Sequence, residues 1–245
     1  DARKTLLDAT KFEAEDAQHY TMLSTLEIEA GNSNEARKIL KEGSMKYPGD
    51  HYLLQRWGSL EEKLGNTDMA RKMYEKSVRI LPHAPTFVAW GILEEEIGMR
   101  KLNEAINNEN VFVNNSDNSG FLEFVKDDLD SGLLEDIMDL PESISSIIDD
   151  RTTSTTHVDN VVAEEFALQQ LRKARHLLGL GLVVDPQHGP LYHAYGNMEL
   201  RNGNFTGARD IFIMGITKNA SDVTSLYHAW GMLELRLGHK DDAAD

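Results

Sequence analysis

Apolar positions along this chain fall at helical spacing, and the pattern itself recurs. Tyr192, Tyr195 and Met198 stand at i, i+3 and i+6, and Tyr227, Trp230 and Leu233 repeat that stripe, as one face of an α-helix does. The string Trp57-Gly58-Ser59-Leu60-Glu61 returns as Trp90-Gly91-Ile92-Leu93-Glu94, as Tyr195-Gly196-Asn197-Met198-Glu199 and as Trp230-Gly231-Met232-Leu233-Glu234. A glycine follows each glutamate four residues later: Gly65, Gly98, Gly203 and Gly238. A weaker copy runs from Leu23 to Glu27 and on to Gly31. A second string follows most copies, beginning Ala36-Arg37, Ala70-Arg71, Ala174-Arg175 and Ala208-Arg209, with Pro48, Pro82, Pro186 or Ala220 twelve residues beyond its alanine. The step from Ala36 to Ala70 is the same as that from Ala174 to Ala208. It matches the period of a helix-turn-helix array, about 34 residues.

The unit is physically readable. The glycine after each aromatic removes a side chain where the partner helix must approach, at a helix-propensity cost of about 1 kcal/mol that packing has to offset. Gly31-Asn32, Gly65-Asn66 and Gly203-Asn204 read as left-handed helix stops before short turns. The Ala-Arg string opens the second helix and proline ends it. Trp57, Trp90, Tyr195 and Trp230 are expected in equivalent buried positions. The pairs Glu27/Arg37, Glu61/Arg71 and Glu199/Arg209, each ten residues apart, are expected to be structural ion pairs or carbonyl ligands between helices. A single helix pair cannot bury its apolar face, so neighbours must stack. The predicted fold is all-α, a right-handed superhelix of antiparallel helix pairs.

The tryptophan, the first-helix glutamate, the glycine and the second-helix Ala-Arg with its aliphatic-aromatic pair resemble HAT (half-a-TPR) repeats over residues 1–108 and about 160–245. The resemblance implies an RNA-processing role, since HAT arrays are known from spliceosomal scaffolds, a cleavage-stimulation factor subunit and plastid proteins that protect mRNA ends. The Trp-Gly-x-Leu-Glu wording is most similar to the plastid group. What this implies is single-stranded RNA or protein partners along a helical groove, in the plastid or the nucleus. The alternative is a scaffold of a ribonucleoprotein assembly that holds proteins and does not touch RNA.

Ala2-Arg3-Lys4 precedes Ala36-Arg37-Lys38 by one full period, and Ala243 follows Gly238 as Ala36 follows Gly31. The expectation is a piece of a longer solenoid, entered and left in mid-repeat. Between them the array is interrupted. Glu94 and Glu165, read as the next first-helix glutamate, stand slightly more than two periods apart where one is the rule. Either a whole repeat has decayed or a loop has been inserted; composition favours the second, with residues 109–157 expected to be a largely disordered acidic insertion between repeats 1–108 and 158–245. From Glu109 to Asn160 there are thirteen acids and two bases, a net of -11 out of -16 for the whole chain. The acidity therefore belongs mainly to one segment. Within it, Phe121 to Leu140 alternates acids with large apolar residues, fitting a short amphipathic helix or an acidic recognition segment.

At 40% hydrophobic residues the chain can bury a core, and its lack of cysteine excludes disulfides, zinc ribbons and thiol catalysis. The absence fits an intracellular setting. The longest apolar run, Leu177 to Val184, is too short to span a bilayer. His193 and His228 hold one position in successive repeats, which repeat geometry explains better than metal ligation. Gly179-x-Gly181 follows no strand and is no dinucleotide fingerprint. No catalytic residue, metal, cofactor or small-molecule substrate is expected, and the chain does not read as an enzyme. The candidate RNA contacts are Lys63, Arg201 and Arg236, each two residues beyond a first-helix glutamate, with Arg56 on the face of Lys63.

Overall fold

The computed structural model describes residues 16–109 and 155–238. Nine helices and no strand occur among the described residues. They pair in sequence: α1 (Ala17–Glu29) with α2 (Ser33–Lys46), α3 (His51–Lys63) with α4 (Thr67–Ile80), α5 (Ala84–Glu109) with α6 (Thr155–Val184), α7 (Gly189–Arg201) with α8 (Phe205–Thr217), then α9 (Val223–Leu237). Odd-numbered helices carry the Trp/Tyr-Gly string and even-numbered ones the Ala-Arg string. Local chemistry sets the boundaries. Asp50 caps α3 by accepting from the Leu53 amide, and Asn204 caps α8 by accepting from Gly207. Gly31, Gly65, Gly203 and Gly238 have φ of 78°, 76°, 75° and 84°, the left-handed stops the sequence predicts.

The glycine inside each odd helix is a contact surface. A Cβ on Gly58 would lie 2.7 Å from Tyr74, and one on Gly196 2.2 Å from Phe212. Tyr74 and Phe212 are completely buried, as are Ala36, Ala70 and Ala208 near the start of their even helices and Ala174 within α6. Small residues on both helices let the backbones close on one large side chain. The array is thus an α–α solenoid with its core running between helix layers.

The recurring geometry between repeats is a clamp on a buried carboxylate. Glu27, Glu61, Glu94, Glu199 and Glu234 are each at most 2% exposed. Arg37 holds Glu61 with two hydrogen bonds of 2.6 and 2.8 Å, and Arg71, Arg175 and Arg209 hold Glu94, Glu199 and Glu234 in the same way. These pairings correct the ten-residue ones expected from sequence. Each arginine reaches forward to the next repeat's glutamate, so the ion pair ties repeats together instead of closing one. The indoles of Trp57, Trp90 and Trp230 donate to the glutamate four residues on, at 2.9, 2.7 and 2.8 Å. Reaching that carboxylate keeps the rings half-buried, where full burial was expected. The turn adds one more donor. Asn32, Asn66 and Asn204 bond the carboxylates of Glu27, Glu61 and Glu199 with their side chains, while their backbone amides bond the same residues' carbonyls.

The third pair explains the interruption. A Cβ on Gly91 would lie 2.8 Å from Leu178, the contact that Gly58 makes with Tyr74 and Gly196 with Phe212. α6 is therefore the second helix of the repeat opened by Trp90, and the extra chain sits in that repeat's own turn. Glu165 is an exposed residue of α6 and no first-helix glutamate. Gly98 here is helical, because no asparagine follows to close a turn, and a Cβ on it would lie 3.0 to 3.4 Å from Ala167 and Gln170. Lys173 supplies the missing donor, 2.8 Å from Glu94, and Gln170 accepts from Arg71. The contacts Gly91–Leu178 and Gly98–Ala167 run antiparallel, so the two helices lengthen side by side. Residues 155–157, expected in the insertion, are helical; the disorder expected of it falls on residues 110–154, outside the described ones.

Arg71→Ala should cost about 3 to 5 kcal/mol, because it leaves a fully buried Glu94 short of its main partner; urea unfolding measures it, and a loss below about 1 kcal/mol would reduce the clamp to a surface pair. Replacing residues 110–154 by a short Gly/Ser linker should preserve the melting temperature and the helical signal of the flanking repeats. The ends of α5 and α6 already run together, and loop length costs little closure entropy. Circular dichroism tests this.

Candidate functional site

The odd helices share one register, which fixes what each presents to its neighbour. Counting from the buried glutamate, the residue five before it faces the residue two before the preceding repeat's glutamate. Arg56 occupies the first position and Thr25 the second, and the guanidinium donates to Thr25 Oγ1 at 2.7 Å. At the next junction the same positions hold Ala89 and Ser59, and the space stays open. An open trough of about 460 Å³ runs there, lined by Ser59, Glu62, Pro85, Val88, Ile92 and His188 among others, with side chains from α3, α5 and the start of α7.

Glu62 is the one carboxylate on this lining. Burial pushes its carboxyl above the usual range; the Tyr74 hydroxyl pulls it down, the Glu96 charge raises it again and Lys63 lowers it. Tyr74 donates to Glu62 Oε2, and Ser59 bonds the Tyr74 oxygen in turn. The clamp carboxylates differ. Burial pushes Glu61 upward, but hydrogen bonds from Arg37, Asn66 and Trp57 outweigh it and hold the carboxyl below the usual range; Glu94 behaves alike under Arg71 and Lys173.

The four candidate RNA contacts do not form a free ladder. Arg201 is engaged by Glu95 of the preceding repeat, with hydrogen bonds of 2.9 and 2.5 Å and a 4% exposed partner. Arg56 is turned onto Thr25. Arg236 is exposed and lies 5.3 Å from the centre of the Phe205 ring. Lys63 is exposed in the last turn of α3. Sequence reasoning missed Glu62, Glu95, Lys173 and the asparagines as partners. The asparagines had a signal, since they recur five residues after a glutamate in three repeats. Lys173 recurs nowhere and had none, and Glu95 recurs only as Glu62, whose register gives it no matching cation.

Among the described residues no group of histidines and acids is placed to hold a metal, and no helix is long and apolar enough to cross a membrane. His193 and His228 are exposed. Three other histidines line the starts of the odd helices: His51, His83 and His188. The His83 ring lies 5.1 Å from His51 and 4.9 Å from Tyr52, whose hydroxyl meets His83 Nε2 at 3.3 Å. Burial, then the neighbouring His51 and His188, lower the His83 pKa against the opposing pull of Asp185; burial lowers that of His188. A lowered histidine favours the neutral form when folded, so its contribution is full above pH of about 6.5 and is lost as pH falls. The clamp glutamates add a second loss below about pH 4.5. The melting temperature should accordingly fall in two stages on acidification, and His83→Gln should flatten only the upper one, as a series of thermal melts across pH would show.

No protein-family model matches this chain, and no curated protein matches it in sequence. Among solved structures it is similar to a thermophilic TPR protein of Thermus thermophilus, with a TM-score of 0.54 and 14% identity over 93% of this chain and 86% of that one. It is likewise similar to a chain of the APC/C hetero-tetramer Cut9–Hcn1, with a TM-score of 0.54 and 11% identity over 98% of this chain and 34% of the other. At such identity the likeness is one of fold: the chain is an all-helical, TPR-like repeat array.

Proposed function

We propose that this array is a protein-holding scaffold of the HAT type, working within an RNA-processing assembly. The observation that carries the reading is how the inner charges are used. Arg201 and Arg56 are committed to the array's own side chains, while the trough over α3, α5 and α7 is left open with Val88 and Ile92 on its lining. A surface prepared for RNA needs free cations and exposed rings along the strand. A surface prepared for a protein needs an apolar floor with a few polar groups that fix orientation. The HAT resemblance supports the RNA-processing setting, with plastid or nucleus as its proposed compartment. No catalytic role is part of the reading.

A second reading, direct contact with single-stranded RNA, draws on the same resemblance and on the exposed Lys63 and Arg236. The two readings separate on salt. If Lys63 and Arg236 alone of the candidate contacts meet the strand, RNA affinity should have a log–log salt slope no steeper than about -1.4, given about -0.7 per neutralised phosphate on a single strand. Filter binding of an unstructured RNA across salt concentrations measures it. A slope of about -3 or steeper, flattened by Lys63→Ala with Arg236→Ala, would overturn the scaffold reading in favour of the RNA one.

A further inference from the structure

The first two junctions between odd helices share one register and fill it differently: Thr25 and Arg56 at the first become Ser59 and Ala89 at the second, and Ile28 becomes Glu62. Between α1 and α3, Arg56 crosses to Thr25 and fills the space with its own guanidinium. Between α3 and α5 the hydroxyl position is kept as Ser59, but the arginine position is Ala89, and the trough opens there. One turn along α3 from Ser59 stands Glu62, whose Oε2 accepts from Tyr74 and whose other oxygen has no hydrogen-bond donor among the described residues. Glu62 forms no ion pair among them either, whereas the glutamates of the neighbouring clamps each hold an arginine. The hydroxyl that Arg56 meets one repeat earlier is thus kept without its arginine, and a carboxylate that the first junction lacks stands one turn from it.

We propose that this trough receives an arginine carried on an apolar segment of a partner protein, the guanidinium taking the place that Arg56 fills one repeat earlier. Ser59 Oγ and the free oxygen of Glu62 accept from it, and Pro85, Val88 and Ile92 contact the flanking apolar side chains. The proposal rests on the scaffold reading and gives it a ligand chemistry. Charge selects the occupant. Glu62, with Glu96 beside it, repels an acidic segment, so residues 109–160 of this chain, at a net of -11, are the wrong partner. A guanidinium suits the site better than an ammonium because its planar fork can meet a hydroxyl and a carboxylate together.

The test is to pan a random phage-displayed library of short peptides on the full chain, then to measure selected peptides against three proteins. These are the wild type, Glu62→Gln, which keeps an acceptor for Tyr74, and Ala89→Arg, which supplies the array's own arginine. The expected result is enrichment of arginine flanked by aliphatic residues, with affinity lowered at least tenfold in both variants and melting temperatures no lower than wild type. Arginine-to-lysine exchange in a selected peptide should weaken binding, and arginine-to-glutamate exchange should abolish it. Peptides without basic enrichment, or peptides that bind Glu62→Gln and Ala89→Arg as tightly as wild type, sink the arginine receptor while leaving a protein scaffold standing. Failure to select any peptide also sinks it, and the salt slope for RNA then judges the scaffold reading independently.

Discussion

Everything in this array depends on a carboxylate that is taken out of water once per repeat. A buried glutamate without partners costs several kcal/mol, and it stays ionised only if its oxygens are saturated by well-placed donors. Here the donors come from three places: an arginine of the preceding repeat, an indole one turn back and an asparagine just past the helix stop. Two of them report that the repeat itself is correctly closed, and the third reports that its neighbour is correctly docked. Because the arginine comes from outside the repeat, the burial cost of each glutamate is offset only when two repeats stack. The clamp thereby works against isolated repeats and for the array, in the nearest-neighbour manner of solenoids.

The third repeat shows how far the plan can bend. Its first helix has the glycine but not the asparagine, so nothing closes the turn after Gly98 and α5 runs on to Glu109. The glutamate would be one donor short, and Lys173 makes up the loss from the second helix while lying 5.6 Å from the Trp90 ring centre. A lengthened hairpin thus carries a long insertion away from the stacking surfaces, and the repeats on either side keep their contacts. The same logic accounts for Arg201. Its partner Glu95 repeats the position of Glu62, but Glu96 stands where Arg201 would meet Glu62, so only at the later junction is a cation drawn into the seam, between α5 and α7.

How much of this was legible in the sequence follows from the symmetry of a repeat. Helix pairing, the left-handed glycines and the close approach at Gly58 and Gly196 were readable, since each is a local property that recurs at fixed spacing. The partner of each arginine was not. In a periodic array, the glutamate before an arginine in its own repeat and the glutamate after it in the next recur equally often. Periodicity therefore cannot tell an internal pair from a bridging one. Only the direction in which the second helix packs decides. The misreading of Glu165 had a related cause. Its distance from Glu94 is close to two whole periods, so a residue on a lengthened second helix falls where a first-helix glutamate would stand. The Arg201–Glu95 contact needs opposite charges at two register positions that coincide at one junction alone, and so leaves no periodic trace.

Function in such a molecule is therefore sought where the repeat departs from itself. Positions that obey the register are committed to stacking, and their chemistry is satisfied within the array. Alanine at residue 89, where the preceding repeat has Arg56, changes nothing in the clamp, because Glu94 keeps Arg71, Trp90 and Lys173. What it changes is the space between two first helices, which Arg56 fills at the preceding junction. The hydroxyl at Ser59 then remains without the arginine that Thr25 meets, and Glu62, at the register position where Glu95 meets Arg201, has Glu96 in place of a cation. Stability and recognition are separated along the helix: the inward glutamate holds the array, and its neighbour one residue on is left for something outside it.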